Sequence, residues 1–118
     1  MPESRLRDQS LAFAKSVVLL CRDLKVRGVE QAMTGQLLRS GTSIGANVHE
    51  AQYAQGRKDF ISKLEIALKE CHESEYWLLL LYETHSISQQ EYQSMRESCG
   101  AIRRMLIASV RTLKERSE

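Results

Sequence analysis

Proline is almost absent from this chain. The only one is Pro2, so from residue 3 onward no proline ring removes a backbone donor or clashes with a preceding turn. Aromatic residues make up only 6% of the 118 residues, while charged residues make up 27%. That balance leans towards helices and away from a β-sandwich. Long hydrophobic runs are missing too. The run at 77–82 is far too short to span a bilayer. Residues 1–30 space their apolar side chains along a helix and form no single hydrophobic run before a cleavage site, so no secretory signal is expected. Cysteine is scarce and odd in number: Cys21, Cys71 and Cys99 are far apart and form no CxxC pair. Each falls on an apolar stripe, where a free thiol behaves as a small hydrophobe. A cytoplasmic chain with no membrane partner follows as the expectation.

Charge of one sign is also lacking, with a net charge of only +2. It is unevenly spread. Residues 100–118 carry Arg103, Arg104, Arg111, Lys114 and Arg116 against Glu115 and Glu118. The first 27 residues are net basic as well. Such faces are either solvated helix surface or a patch for nucleic acid.

What remains is helical periodicity, and at this length it fits one domain over 1–118. Leu6, Phe13, Val17, Leu20 and Leu24 recur at three- and four-residue steps and predict a first helix over about 4–26. Leu11, Val18 and Cys21 widen that stripe. Gly28 stands where a terminating glycine belongs. Met33, Leu37, Ile44, Val48 and Ala51 mark a second helix over about 30–53. Three of its positions, Gly35, Gly41 and Gly45, are interior glycines, each costing about 1 kcal/mol against alanine. Either another backbone packs closely there or the helix breaks near 41–45. A third helix over 57–83 carries Phe60, Leu64, Ala67, Cys71, Ser74, Leu78 and Leu81, broadened by Ile61, Leu68 and Trp77. A fourth runs from about 88 to 114 on Tyr92, Met95, Cys99, Ile102, Leu106 and Leu113. Ser88 and Glu91 match a capping box at its start. Four long helices with short connections predict an all-α, antiparallel up-down-up-down four-helix bundle.

Catalytic chemistry finds little support in the residues. Di-iron bundles need inward Glu-x-x-His pairs, but Ala46, Lys69 and Tyr82 precede His49, His72 and His85 by three. His72 opens like a zinc-protease helix and lacks the second histidine. Cys71, His72 and Glu75 are the nearest approach to a ligand set, yet adjacent helical residues do not face each other. Residues 41–45 have neither the glycine spacing nor the lysine of a P-loop. No cofactor, metal or enzymatic activity is expected.

Two polar sets stand out. Arg39, Ser43, Asn47 and Glu50 share one side of the second helix, and Glu65, Lys69 and Glu73 form a row on the third. They read either as a hydrogen-bonded layer setting the register of the pair or as a partner site. A buried layer must be satisfied, because an orphaned polar group costs about 1–3 kcal/mol. On the fourth helix Arg96, Arg103, Arg104 and Arg111 lie within a broad arc, as rows that bind phosphate backbones do. No aromatics interleave with them to stack bases.

Within 36–81 the residues Gln36-Leu37, Arg39-Ser40, Ser43-Ile44, Ala46-Asn47-Val48 and Glu50-Ala51 are followed by Asp59-Phe60, Leu64, Ile66-Ala67, Lys69-Glu70, Glu73 and Tyr76-Trp77-Leu78. This pattern resembles the four-helix-bundle family of the 23S rRNA intervening-sequence proteins. His49 departs from it, since many relatives have alanine there. The resemblance implies antiparallel bundles assembled as ring-shaped homopentamers, with no assigned enzymatic activity. A relative, the accessory variability determinant protein of diversity-generating retroelements, is a basic pentameric barrel that binds a reverse transcriptase. Partners expected on this footing are further copies of the chain, another protein, and RNA or DNA. Apolar positions around more than one arc of the first and third helices independently point to self-association.

Overall fold

A computed structural model describes residues 2–117. Met1 and Glu118, the ends of the expected domain, lie outside the described residues. Four helices follow one another: α1 (Pro2–Val26), α2 (Gln31–Ala51), α3 (Arg57–Glu83) and α4 (Gln89–Ser117). No strand occurs among the described residues. Each helix packs on its chain neighbours, and α1 on α4 closes the set as its loosest seam. The molecule is elongated, 49 × 22 × 21 Å, as helices of 21 to 29 residues require at 1.5 Å of rise per residue.

Local chemistry ends α1 and α3 and opens α4. At the end of α1, Gly28 takes φ 78°. Its N–H donates to Lys25 O at 3.1 Å, and that of Val29 donates to Leu24 O at 3.0 Å. This is the paired pattern that satisfies orphan carbonyls at a helix end. The same pattern ends α3, where His85 N–H reaches Tyr82 O at 3.0 Å and Ser86 N–H reaches Leu81 O at 2.8 Å. There the left-handed residue is His85, φ 59°, which carries a steric cost that glycine would not. The predicted capping box opens α4. Glu91 N–H donates to Ser88 Oγ at 3.1 Å, and Ser88 N–H donates to Glu91 Oε1 at 2.9 Å.

The apolar stripes meet in one core. Phe13, Val17 and Leu24 of α1, Leu37 and Ile44 of α2, Leu78 and Leu81 of α3, and Ile102 and Leu106 of α4 are all essentially solvent-free. All three cysteines are buried and free. Burial holds the Cys21 thiol up at about 11. A hydrogen bond to Cys71, then burial, raises that of Cys99. Leu11, expected to widen the α1 stripe, instead faces solvent at 63% exposure. Val110, which was not expected in the α4 stripe, is buried.

The glycine-rich helix does not break. α2 is continuous through 41–45, and two of its three glycines explain why glycine is there. A Cβ on Gly41 would lie 2.8 Å from Val17 Cγ2, and one on Gly45 would lie 3.3 Å from Ser10 O. At Gly41 helix α1 therefore approaches closer than a Cβ permits, and at Gly45 it is close enough that Ser10 would have to give by a few tenths of an ångström. A Cβ on Gly35 would meet nothing within 4 Å, so close packing does not account for that glycine.

Candidate functional site

Midway along the α2–α3 contact, two serines occupy positions that apolar residues would otherwise fill. Ser40 and Ser74 are both fully buried. Ser74 Oγ–H donates to Ser40 Oγ at 2.9 Å, and Ser40 Oγ–H donates to Leu37 O at 3.4 Å. Each hydroxyl proton therefore has an acceptor, as a buried polar pair demands.

Beside them, Arg39 reaches across from α2. Its Nη1 donates to Glu70 Oε2 at 2.8 Å, and its Nη2 donates to Glu73 Oε2. Glu70 is nearly buried, its side chain 11% exposed, whereas Arg39 is half exposed at 51%. One guanidinium thus serves two carboxylates one turn apart on α3. The planar fork of arginine suits this role, which a lysine point charge would fill poorly. The two bonds tie α2 to α3 at this level.

The expected polar set divides. Arg39 and Glu73 do meet. Glu50 meets Lys63 of α3 at 3.8 Å. Ser43 and Asn47 do not reach α3: Ser43 Oγ–H donates to Arg39 O at 2.7 Å and Asn47 Nδ2–H to Ser43 O at 2.8 Å. A side chain on a helix finds the carbonyl four residues back more readily than a partner on a neighbour. Glu65 faces the other way and pairs with Lys114 of α4 at 2.7 Å. Lys69 is exposed. Sequence reasoning missed Glu70 and the pairing of Ser40 with Ser74. The available signal was one serine on each of two facing stripes.

The arginines of α4 divide as well. Arg103 Nε–H donates to Glu75 Oε1 at 2.7 Å, and the Arg96 guanidinium lies over the Tyr92 ring, 5.9 Å from its centroid. Arg104 and Arg111 are exposed and stand seven residues apart on one side of α4. At the α1–α4 seam, Arg27 grips Glu91 through two hydrogen bonds, 3.1 and 2.7 Å. That bond, ahead of the Ser88 contacts, holds the Glu91 carboxyl down at about 2.

Cys71 is fully buried and its neighbour His72 is exposed, so they cannot act on one substrate atom. Among the described residues no group of three or more His, Cys, Asp or Glu could hold a metal ion. Among them also, no helix is long and apolar enough to cross a membrane.

Fold and site define a small all-helical protein of four helices, joined at α2–α3 by a buried serine pair and a shared arginine. The chain belongs to the 23S rRNA-intervening sequence protein family, whose model matches residues 3–108. Among solved structures it is similar to a protein of unknown function from the S23 ribosomal protein family of Bacteroides thetaiotaomicron. The identity is 46% over 94% of this chain and 99% of that one, with a TM-score of 0.92. No curated protein matched the chain. Neither description names an enzymatic activity.

Proposed function

We propose that this chain is a non-enzymatic scaffold: one antiparallel up-down-up-down bundle domain that self-assembles, as a ring of five, to present an interaction surface in the cytoplasm. The order of paired residues supports the antiparallel reading. Arg7 meets Gln52 while Cys21 meets Thr34, and Glu65 meets Lys114 while Glu75 meets Arg103. In each pair of helices one index rises as the other falls.

The observation that carries self-assembly is apolar surface on the outer faces of α1 and α3. Leu11, Leu19 and Val26 are 63%, 57% and 88% exposed, and Ile66, Tyr76 and Leu79 are 42%, 56% and 42% exposed. The three on α1 recur at steps of eight and seven, a helical stripe outside the core. Apolar stripes of this kind on small proteins mark contact surfaces, and the family resemblance implies five copies. Native mass spectrometry at micromolar concentration is expected to give five chains, and Leu19→Glu is expected to dissociate them. A wild-type monomer under those conditions refutes the reading.

A second reading, RNA or DNA binding through α4, is favoured by one observation. Arg104 and Arg111 are exposed and have no acidic partner among the described residues. Filter binding to structured RNA at two salt concentrations tests it. Phosphate contacts require retention to fall steeply as salt rises. Arg104→Gln with Arg111→Gln should then abolish that retention.

A further inference from the structure

All four helices border an unfilled space at one end of the molecule, about 330 Å³ in volume. Leu6 of α1, Val48 of α2, Leu64 of α3 and Leu113 of α4 give it apolar walls. Phe60 and Leu113 are only partly buried beside it. Towards the opposite end of α3 and α4, by contrast, the Tyr82 and Tyr92 rings stack at 4.7 Å between those helices.

The charge around this space has one sign. Arg7 and Arg116 line it, and among the described residues no carboxylate does. Among the described residues Arg7 donates to neutral acceptors, Gln52 Oε1 at 2.8 Å and Ser4 Oγ at 3.0 Å. Its cation is therefore oriented, with no carboxylate partner among the described residues. An adjoining concavity shares Phe60 and Leu113 with the first and adds Arg57, again with no carboxylate among the described residues.

We infer that this end of the molecule binds a small amphipathic carboxylate, its apolar tail between Leu6, Leu64 and Phe60 and its head on Arg7 and Arg116. The volume sits at the lower end of the range for small-molecule sites, about 300–1,000 Å³, which selects a medium-length tail. Guanidinium forks match carboxylate oxygens in pairs. Two guanidiniums with no acidic partner among the described residues repel a cationic ligand, and a neutral one leaves them unused.

Calorimetric titration of the full chain with sodium octanoate tests this, with octanol and octylammonium as probes of equal tail length. Saturable binding of octanoate at one site per chain is expected, tighter than octanol, with octylammonium not binding. Arg7→Gln together with Arg116→Gln should weaken octanoate roughly fivefold to tenfold, the scale of one lost charge-assisted contact, and leave octanol unchanged. Ala108 is an exposed residue on the rim, so Ala108→Phe can plug the space without disturbing the core. It should abolish binding while the helical melt stays cooperative. No saturable octanoate binding at millimolar concentration would overturn the inference. Equal affinity for all three probes, or undiminished binding by a folded Ala108→Phe, would do the same. Tighter binding of a tetrapeptide with a free C-terminal leucine would overturn it in favour of a chain terminus.

Discussion

Two glycines on one helix should respond to the same substitution in opposite ways. Gly35 and Gly41 both lie inside α2, and neither has positive φ. Alanine at either site gains about 1 kcal/mol of helix propensity. At Gly35 the new methyl meets nothing within 4 Å, so the gain stands alone. At Gly41 it would arrive 2.8 and 3.0 Å from the two Val17 methyl groups. Val17 is wholly buried and β-branched, so it cannot swing aside. Overpacking of this kind costs about 1–3 kcal/mol. Because the propensity gain is common to both variants, the difference between them isolates the packing cost. For a chain of this length 1 kcal/mol moves the melting midpoint by about 4 °C. Gly41→Ala is therefore expected to melt roughly 4–12 °C below Gly35→Ala. Circular dichroism at 222 nm, with both proteins at one concentration, measures it. Adding Val17→Ala to Gly41→Ala should recover part of the loss, giving a non-additive cycle. Gly41→Ala melting at or above Gly35→Ala would refute the claim that α1 and α2 need a bare backbone at that point.

The buried serines should behave as a pair. Ser40→Ala strips the Ser74 hydroxyl of its acceptor and is expected to cost about 1–2 kcal/mol, while the double alanine variant costs less than the two singles together. Strict additivity in urea unfolding would show that the hydroxyls do not interact. Arg39→Met leaves the nearly buried Glu70 without its cation. About 1–2 kcal/mol of destabilisation is expected, discounted from the fully buried case because Arg39 is half exposed. A loss matched by Glu73→Gln alone would mean that Glu70 is not the carboxylate that matters. Glu91 is depressed from 4.5 to about 2, so its stabilising contribution is complete above pH 4.5 and fades as the pH falls towards 2. Urea midpoints across that window should drop less for Glu91→Gln than for wild type, and parallel curves would contradict the Arg27 clasp. Finally, His85→Gly removes the left-handed strain at the end of α3 and is expected to stabilise by about 1 kcal/mol. A lower melting temperature would show that the imidazole makes a compensating contact.

Four helices, their approximate ends and most of their buried faces could be read from residue order alone. Periodicity is a local property, and a three-and-four spacing of Phe13, Val17, Leu20 and Leu24 admits one burial face on one helix. Terminators were legible for the same reason. Gly28 and the Ser88–Glu91 box act within a single turn. The family pattern in 36–81 was legible too, and it pointed to the right relatives.

Distance between helices was not legible. Nothing in the order of residues separates Gly35, which meets open space, from Gly41, which lies against Val17, because each is simply a small residue in a helix. The same holds for the polar groups. Ser43 and Asn47 share a helix side with Arg39, yet they turn back to their own carbonyls while Arg39 crosses to Glu70 and Glu73. A side chain's partner depends on which atoms another helix brings within about 3 Å, and that is settled by packing. The hollow end bordered by Leu6, Leu64 and Leu113 arises likewise from four chain segments distant in sequence. Each is an ordinary apolar position on its own helix, and only their meeting leaves a space between them.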